Sequence, residues 1–446
     1  MAEDRVAADN AAPDDISADD AAPDHVALDQ APADAASHRA LAERRAEQGL
    51  MAEAVALSRR GAELEPERAE SWAHLGHLLI AARRPDSALA PLSRALALQP
   101  GLIAALSDMA IACCTLNRYE DAVPHYQQAY RAEPSNNSAR YLEALALLAL
   151  GDHANGWRKH ETRWYAELGQ DMRARFDGPT WLGEPGIEGQ TVLLHAEQGL
   201  GDTLQFIRYA PLVKARGARV MALVQAPLAP LLRGMDGVDQ VIGYGEDLPG
   251  FDTHCALMSL PRAFRTQSDT IPASIPYVAP SPDRLAAWAE RLGPRPARRR
   301  IALAWSGSTS VWNRAVPLAL LAPLLDRDDV EWHAAQTEIY DTDRPALARF
   351  PRVIDHVAAL ADFADTAALL AQMDLVISVD TALAHLAGAM GLPAWTLLPL
   401  GADYRWLTTG TTTAWYPTMR LFRQQALCDW LPVIAAVNQA LDDPGP

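Results

Sequence analysis

AESWAHLGHLLIAARRPDSALAPLSRALALQP, residues 69–100, sets out the spacing that decides how the first part of this chain folds. Within it Trp72-x2-Leu75-Gly76-x2-Leu79 is followed by Ala88, Ala95 and Pro100. The same kinds of residue return every 34 positions: Pro66, Pro100 and Pro134; Ala54, Ala88 and Ala122; Gly61, Ala95 and Ala129. Small residues let helices approach closely, and a proline stops a helix at each unit boundary. Three series sharing one interval argue against coincidence. They imply a helical solenoid with a concave surface. That surface reads either as an oligomerisation spacer or as a groove that captures a peptide or protein, and we favour the groove.

The pattern resembles the tetratricopeptide repeat, whose unit is two antiparallel helices in about 34 residues. It begins near His38 and fades through Tyr141–Leu150 into GDHANGWRKHETRWYAELG (151–169), where Gly156 holds the place of the next alanine. Trp157, Trp164 and Tyr165 read as a capping helix packed on another body. Upstream, residues 1–37 are mostly Ala, Asp and Pro, with ten acidic residues against one arginine. Such a composition cannot offset ordering entropy by burial, so the reading is a disordered acidic tail.

Downstream, the Gly/Pro-rich FDGPTWLGEPGIEGQ (176–190) marks a connector, and the texture then changes to short apolar strands alternating with helices. Strands are expected at Thr191–His195, Arg219–Val224, Val241–Gly243 and His254–Leu257. After GPRPARRR (293–300) they resume at Ile301–Trp305, Val330–Ala335, Leu375–Val379 and Ala394–Leu398, and a last helix covers Trp430–Leu441. This alternation implies parallel sheets covered by helices. The expected organisation is a tail (1–37), repeats with a capping helix (38–168), a connector (169–189), and two Rossmann-like domains (190–296 and 297–446) with a cleft between them.

Composition narrows the function. Across 446 residues, 39 Lys+Arg face 56 Asp+Glu, a formal net charge of −17. An acidic body argues against nucleic acid, whose binding relies on basic residues releasing counterions. Four scattered cysteines (Cys113, Cys114, Cys255, Cys428) make no disulfide framework or CxxC pair. No stretch approaches the ~20 apolar residues of a membrane span, and MAEDRVAADNAAPDD lacks the basic and apolar regions of a signal peptide. A cytoplasmic location is expected.

Ligands of open parallel sheets sit at the carboxyl ends of strands, beside helix N-termini. Three segments answer to that rule. In HAEQGLGDTLQFIRY (195–209), Gly199 and Gly201 permit close backbone approach, and Asp202 is either a helix cap or a functional carboxylate. In AWSGSTSVWNRAVPL (304–318), Ser306, Gly307, Ser308 and Thr309 suit a diphosphate that Arg314 would neutralise; the alternative is an ordinary polar loop. In DLVISVDTALAHLAGAMGLP (374–393), Asp380 ends a strand, and Thr381 and His385 share one helix face. These three are ligand contacts, or a cap with a core histidine. From EWHAAQTEIYDTDR (331–344), Gln336 and Glu338 are candidates to bond a ribose or base, with a solvated loop as the alternative. The histidines lack metal-ligand spacing, so no metal is inferred.

GLGD, WSGST and DTALAHLAGAMGLP, in that order, resemble the heptosyltransferase-like glycosyltransferases of family 9. Taken with GDHANGWRKHETRW, WYPTMRLFRQ and DFADTAALLAQMDLVISVDTALAHLAGA, the chain resembles the bacterial tetratricopeptide-repeat glycosyltransferases over residues 38–441. The resemblance implies a GT-B fold of two Rossmann-like domains following the solenoid. It implies Asp202 as general base, and Gly201, Ser308, Thr309, Arg314, Gln336, Asp380, Thr381 and His385 around a nucleotide-sugar donor, with no other cofactor. Arg314 stands where the family usually has lysine, Ala382 where glycine is common, and GTTTAWYP (410–417) in place of DSPWYP. The implied activity is sugar transfer to a Ser/Thr hydroxyl of a protein held by the repeats, flagellin among the possible acceptors. Transfer to a lipid-linked saccharide, as heptosyltransferases perform, and a non-catalytic scaffold retaining the fold stand as alternatives.

Overall fold

The computed structural model describes residues 34–166, 176, 178–308 and 312–443. The chain divides into two compact units, Met1–Ala146 and Leu147–Pro446.

In the first unit, helices pack as consecutive pairs: α1 (Ala35–Glu47) with α2 (Met51–Leu64), α3 (Ala69–Ala81) with α4 (Pro85–Leu98), and α5 (Ile103–Thr115) with α6 (Tyr119–Ala132). The repeating small residues are the contact points. Ala54, Ala88, Ala95, Ala122 and Ala129 are wholly buried, and Gly61 is buried as well. At Gly76 a methyl group would lie 2.4 Å from Leu92 Cγ, so only glycine lets α3 lie this close to α4. Pro66, Pro100 and Pro134 each stand two residues beyond a helix end, where a proline blocks continuation. The boundary of the acidic tail needs correction. Asp34 accepts the Ser37 N–H at 2.9 Å and starts α1 at Ala35, so residues 35–37 are helical. The rest of the expected tail lies outside the described residues.

Helix α7 (Asn137–Ala149) leads into the second unit, followed by α8 (His153–His160), which Asp152 caps by accepting the Asn155 N–H. Trp157 of α8 is buried and meets Phe206, Tyr404 and Trp415 edge-on, with ring centroids 5.9, 5.8 and 6.5 Å away. The body on which the capping helix packs is thus the α/β region itself. Trp164 and Tyr165 differ from expectation. They lie in a 3-10 turn after α8, and Tyr165 is 49% exposed. Arg163, buried just before them, anchors that turn: it pairs with Glu161 and Glu197, both at 2.9 Å, and donates to Ser259 Oγ at 2.7 Å.

The α/β region holds two wholly parallel sheets. The first has the order β3-β2-β1-β4, formed by β1 (Thr191–His195), β2 (Arg219–Val224), β3 (Gln240–Gly243) and β4 (Thr253–Ala256). The second has the order β10-β9-β8-β5-β6-β7, formed by β5 (Arg299–Ala304), β6 (Val330–Ala334), β7 (Ile354–Asp355), β8 (Leu375–Val379), β9 (Ala394–Leu398) and β10 (Met419–Arg423). The central strands β1, β5 and β8 are buried almost throughout, which is why they read as continuous apolar runs. Strands β7 and β10 were not anticipated: one is two residues long, and arginines interrupt the other.

Four helices matter to the site: α9 (Leu200–Phe206), α10 (Pro282–Leu292), α11 (Phe363–Leu370) and α12 (Ala382–Ala389). A last helix, α13 (Leu431–Asp442), buries Val433, Ile434 and Val437 in the core of the second sheet. The expected boundary at residue 296 puts α10 with the first sheet, but the helix packs on the second. Arg284 of α10 pairs with Asp362 and Asp365, and Trp288 Nε1 donates to Asp365 Oδ1 at 3.1 Å. Among the described residues no helix is long and apolar enough to cross a membrane.

Candidate active site

The carboxyl ends of β1, β5, β8 and β9 surround one cavity of about 630 Å³. That is within the ~300–1,000 Å³ usual for small-molecule sites. Gly201, Asp202, Ser308, Arg314, Gln336, Asp380, Thr381 and His385 all line it, so residues up to 184 positions apart in the chain, Gly201 and His385, are brought together. Thr309 lies outside the described residues.

The Gly-Asp corner opens α9. A methyl on Gly201 would come within 2.7 Å of His385 Cδ2 and 3.5 Å of the Ala382 Cα, so α9 and α12 touch at their first turns. Ala382, standing where the resembled family often has glycine, is small enough to keep that approach. Asp202 occupies the third helical position, and its Oδ2 accepts the Gly199 N–H at 2.9 Å. The capping alternative is therefore realised, although the carboxylate reaches backward instead of starting the helix. Its Oδ1 accepts from Arg405 Nη2 at 2.6 Å. The loop leading to this corner is fixed by Glu197, which bonds Arg163 and the Met258 N–H.

Across the cavity, Asp380 directly follows β8 and Thr381 caps α12, its Oγ1 accepting the Leu383 N–H at 3.3 Å. His385 is 2% exposed; its Nδ1 lies 2.9 Å from the Tyr416 hydroxyl and its Nε2 3.8 Å from Asp380 Oδ1. The ring stacks on Trp406 with centroids 5.4 Å apart. In the loop after β5, a methyl at Gly307 would lie 2.6 Å from Thr381 Cγ2, and Arg314 Nη2 donates to Ser308 O at 2.9 Å. Gln336 spends its amide on the same loop, accepting the Trp305 N–H at 3.1 Å and donating to Ser306 Oγ at 3.1 Å and Glu338 O at 2.6 Å. It shapes the cavity wall. Glu338 does not line the cavity.

Burial dominates the electrostatics. It pushes the Asp380 carboxyl above its ordinary range, with Asp202 adding repulsion while Arg405 and Arg314 pull it back. Asp403 is raised for the same reason, crowding by surrounding atoms outweighing the 36% of its side chain that stays open. Burial, with Arg405, Arg208 and Arg314 as cationic neighbours, holds His385 well below the usual imidazole range. The ring is neutral at pH 7. Arg405 stays charged despite its burial because Asp403, Tyr404, Asp202 and Asp380 surround it. Among the described residues no group of three or more His, Cys, Asp or Glu is arranged to hold a metal ion.

Arg405 and Asp403 were missed. They stand in GADYRW (401–406), in the loop at the carboxyl end of β9. The rule that selected the other three segments, applied to β9, would have found them.

Residues 109–168 match the tetratricopeptide repeat model, and residues 332–404 match the model of glycosyltransferase family 9 (heptosyltransferase). Protein FlbA of Caulobacter vibrioides is 28% identical over 426 residues, covering 88% of this chain and 70% of that protein. Among solved structures, the glycosyl transferase family 9 from Veillonella parvula aligns with 58% of this chain and 91% of its own, at 9% identity and a TM-score of 0.41. MamA from Desulfovibrio magneticus aligns with 32% of this chain and 86% of its own, at 20% identity and a TM-score of 0.29. The chain therefore carries a stretch similar to tetratricopeptide repeats and, after it, a stretch similar to the heptosyltransferase-like glycosyltransferases of family 9.

Proposed function

We propose that this protein is a GT-B enzyme that transfers a sugar from a nucleotide-sugar donor to a hydroxyl of a protein acceptor, flagellin being the first acceptor to try. The observation that carries the reading is the single cavity into which the Gly-Asp corner of the first sheet and the Asp-Thr-His face of the second both open. Transfer needs a base for the acceptor hydroxyl and stabilisation of the departing diphosphate. Asp202 takes the acceptor proton as the acceptor oxygen bonds to the sugar's anomeric carbon. The bond from that carbon to the phosphate oxygen breaks, and the nucleoside diphosphate leaves with the electron pair. Arg314, the Ser308 loop and the N-terminus of α12 offset the charge that develops there, so the reaction proceeds without a metal. Ala382 widens nothing and narrows little, and Arg314 supplies the charge of the family's lysine, so neither departure removes a required group.

The repeats serve acceptor capture. A solenoid offers an extended concave surface for polypeptide. Covalent linkage to the α/β unit raises the acceptor's effective concentration at the donor site.

The full chain, incubated with a panel of nucleotide sugars and with flagellin or total cell protein, is expected to yield polypeptide heavier by one or more sugar residues. Labelling should persist in EDTA. Asp202→Asn should lower the rate by at least about 100-fold, the usual weight of a general base. Unchanged labelling by that variant would remove Asp202 from the base role, and no transfer from any donor to any protein would overturn the reading.

A further inference from the structure

We infer that Arg405 serves two anions in turn, the Asp202 carboxylate and the diphosphate of a bound donor, so that donor binding releases Asp202 to act as base. The inference rests on the sugar-transfer reading and adds to it a residue that couples donor binding to base activation.

The geometry makes the exchange possible. Among the described residues, Arg405 and Arg314 are the two arginines lining the cavity. Arg314 already gives one guanidinium nitrogen to Ser308 O. The hydrogen bonds of Arg405 run through a single nitrogen: Nη2 donates to Asp202 Oδ1 at 2.6 Å and to the Tyr404 hydroxyl at 3.3 Å. Its Nε lies 3.4 Å from Asp403 Oδ1 but makes no hydrogen bond, although the side chain is only 10% exposed. A guanidinium carries five N–H donors in a fork matched to two oxygens of a phosphate or carboxylate. This one therefore keeps, in the cavity wall, a buried N–H that makes no hydrogen bond beyond its ion pair with Asp403, and Arg314 Nε likewise makes none.

The chemistry makes the exchange necessary. Both oxygens of Asp202 are engaged, Oδ2 by the Gly199 N–H and Oδ1 by Arg405. A carboxylate oxygen that already accepts a short hydrogen bond from a guanidinium has less lone-pair capacity left for an acceptor's proton. Asp202 Oδ1 is freed for that role when its partner turns to another anion. The diphosphate is the stronger competitor, carrying more charge and more acceptor oxygens than one carboxylate. Three carboxylates, Asp202, Asp403 and Asp380, also crowd the one guanidinium, so the Asp202 pair is contested from the start.

The test is a double-variant cycle on the full chain, read by isothermal titration with UDP, GDP, ADP, CDP and dTDP. Wild type is expected to bind at least one of them. Arg405→Gln should weaken that binding about tenfold or more, the weight of an ionic hydrogen bond. Asp202→Asn, which removes the competing negative charge while leaving a weaker amide acceptor, should tighten it about threefold to tenfold. In the Arg405→Gln background, Asp202→Asn should change binding by less than about twofold, because the competition is gone. Unchanged affinity in Arg405→Gln overturns the proposal and leaves the sugar-transfer reading standing. So does an Asp202→Asn gain that is absent, or equal in both backgrounds, since an equal gain reports general charge removal only. Failure of wild type to bind any of the five overturns the sugar-transfer reading, and this inference with it. Should Arg405→Gln not fold, as judged by its melting midpoint, Arg405→Lys completes the same cycle; its single point charge should give a smaller loss in the same direction.

Discussion

Gly201 is the position where a single added atom matters most. Its missing side chain lets α9 rest on His385 and Ala382, with 2.7 Å between a would-be methyl and the imidazole edge. Gly201→Ala forces His385 off Trp406 or parts the two helices. We expect a loss of about 1–3 kcal/mol, the usual cost of overpacking, measured by denaturant unfolding. Asp380 works in the opposite sense. Its folded carboxyl holds a proton to higher pH than the unfolded chain does, so its ionisation costs stability. That cost is absent below the ordinary carboxylate range and grows as pH rises from there through the folded value. Asp380→Asn should thus melt higher than wild type at pH 8, with the difference shrinking toward pH 4, while binding nucleotide less well. An equal or lower midpoint at pH 8 would refute the argument. Gly201, Asp202, Asp380, Thr381 and His385 were legible because each lies in the short turn or the opening helical turns that follow an apolar strand. Arg405 was not. Its guanidinium acquires meaning only from carboxylates about 200 positions away in one case, Asp202, and no local pattern signals such a partner.

At the scale of elements, α8 carries the most consequence. Trp157 is buried against Phe206, in the helix after β1, and against Tyr404 and Trp415, which lie between β9 and β10. Tyr404 precedes Arg405 and hydrogen-bonds it. Trp157→Ala should cost about 3–5 kcal/mol in stability, typical of a deleted buried aromatic. It should also weaken nucleotide binding, because Tyr404 loses the ring that positions it; unaltered affinity would limit α8 to a structural part. The 34-residue interval made α1 to α6 legible, since periodicity is a local property. The destination of α10 was illegible for the converse reason. An amphipathic helix announces that it will bury Trp288, but only the fold decides that Asp365 receives it.

Taken as a whole, the α/β region is fastened across its two sheets. Arg208, 3% exposed, donates to Trp415 O at 2.8 Å and to Pro272 O at 3.3 Å, and its guanidinium lies 4.8 Å from the Tyr277 and Tyr416 ring centres. The Tyr277 N–H donates to Ala389 O at 3.1 Å, adding a backbone tie to α12. A nucleotide that touches both sheets should stabilise them together. At 100 times its dissociation constant the gain is about 2.7 kcal/mol, visible as a raised melting midpoint of the full chain. No rise with any nucleoside diphosphate would favour a scaffold over an enzyme.

The burial of Trp157 also governs how such a protein can be rebuilt. Repeats upstream of α7 pack as consecutive helix pairs, so units can be added, swapped or pruned there with local effects. Helix α8 has no such licence: its indole is a fitted part of the α/β unit. The repeat region is thus exchangeable by grafting up to that junction and no further.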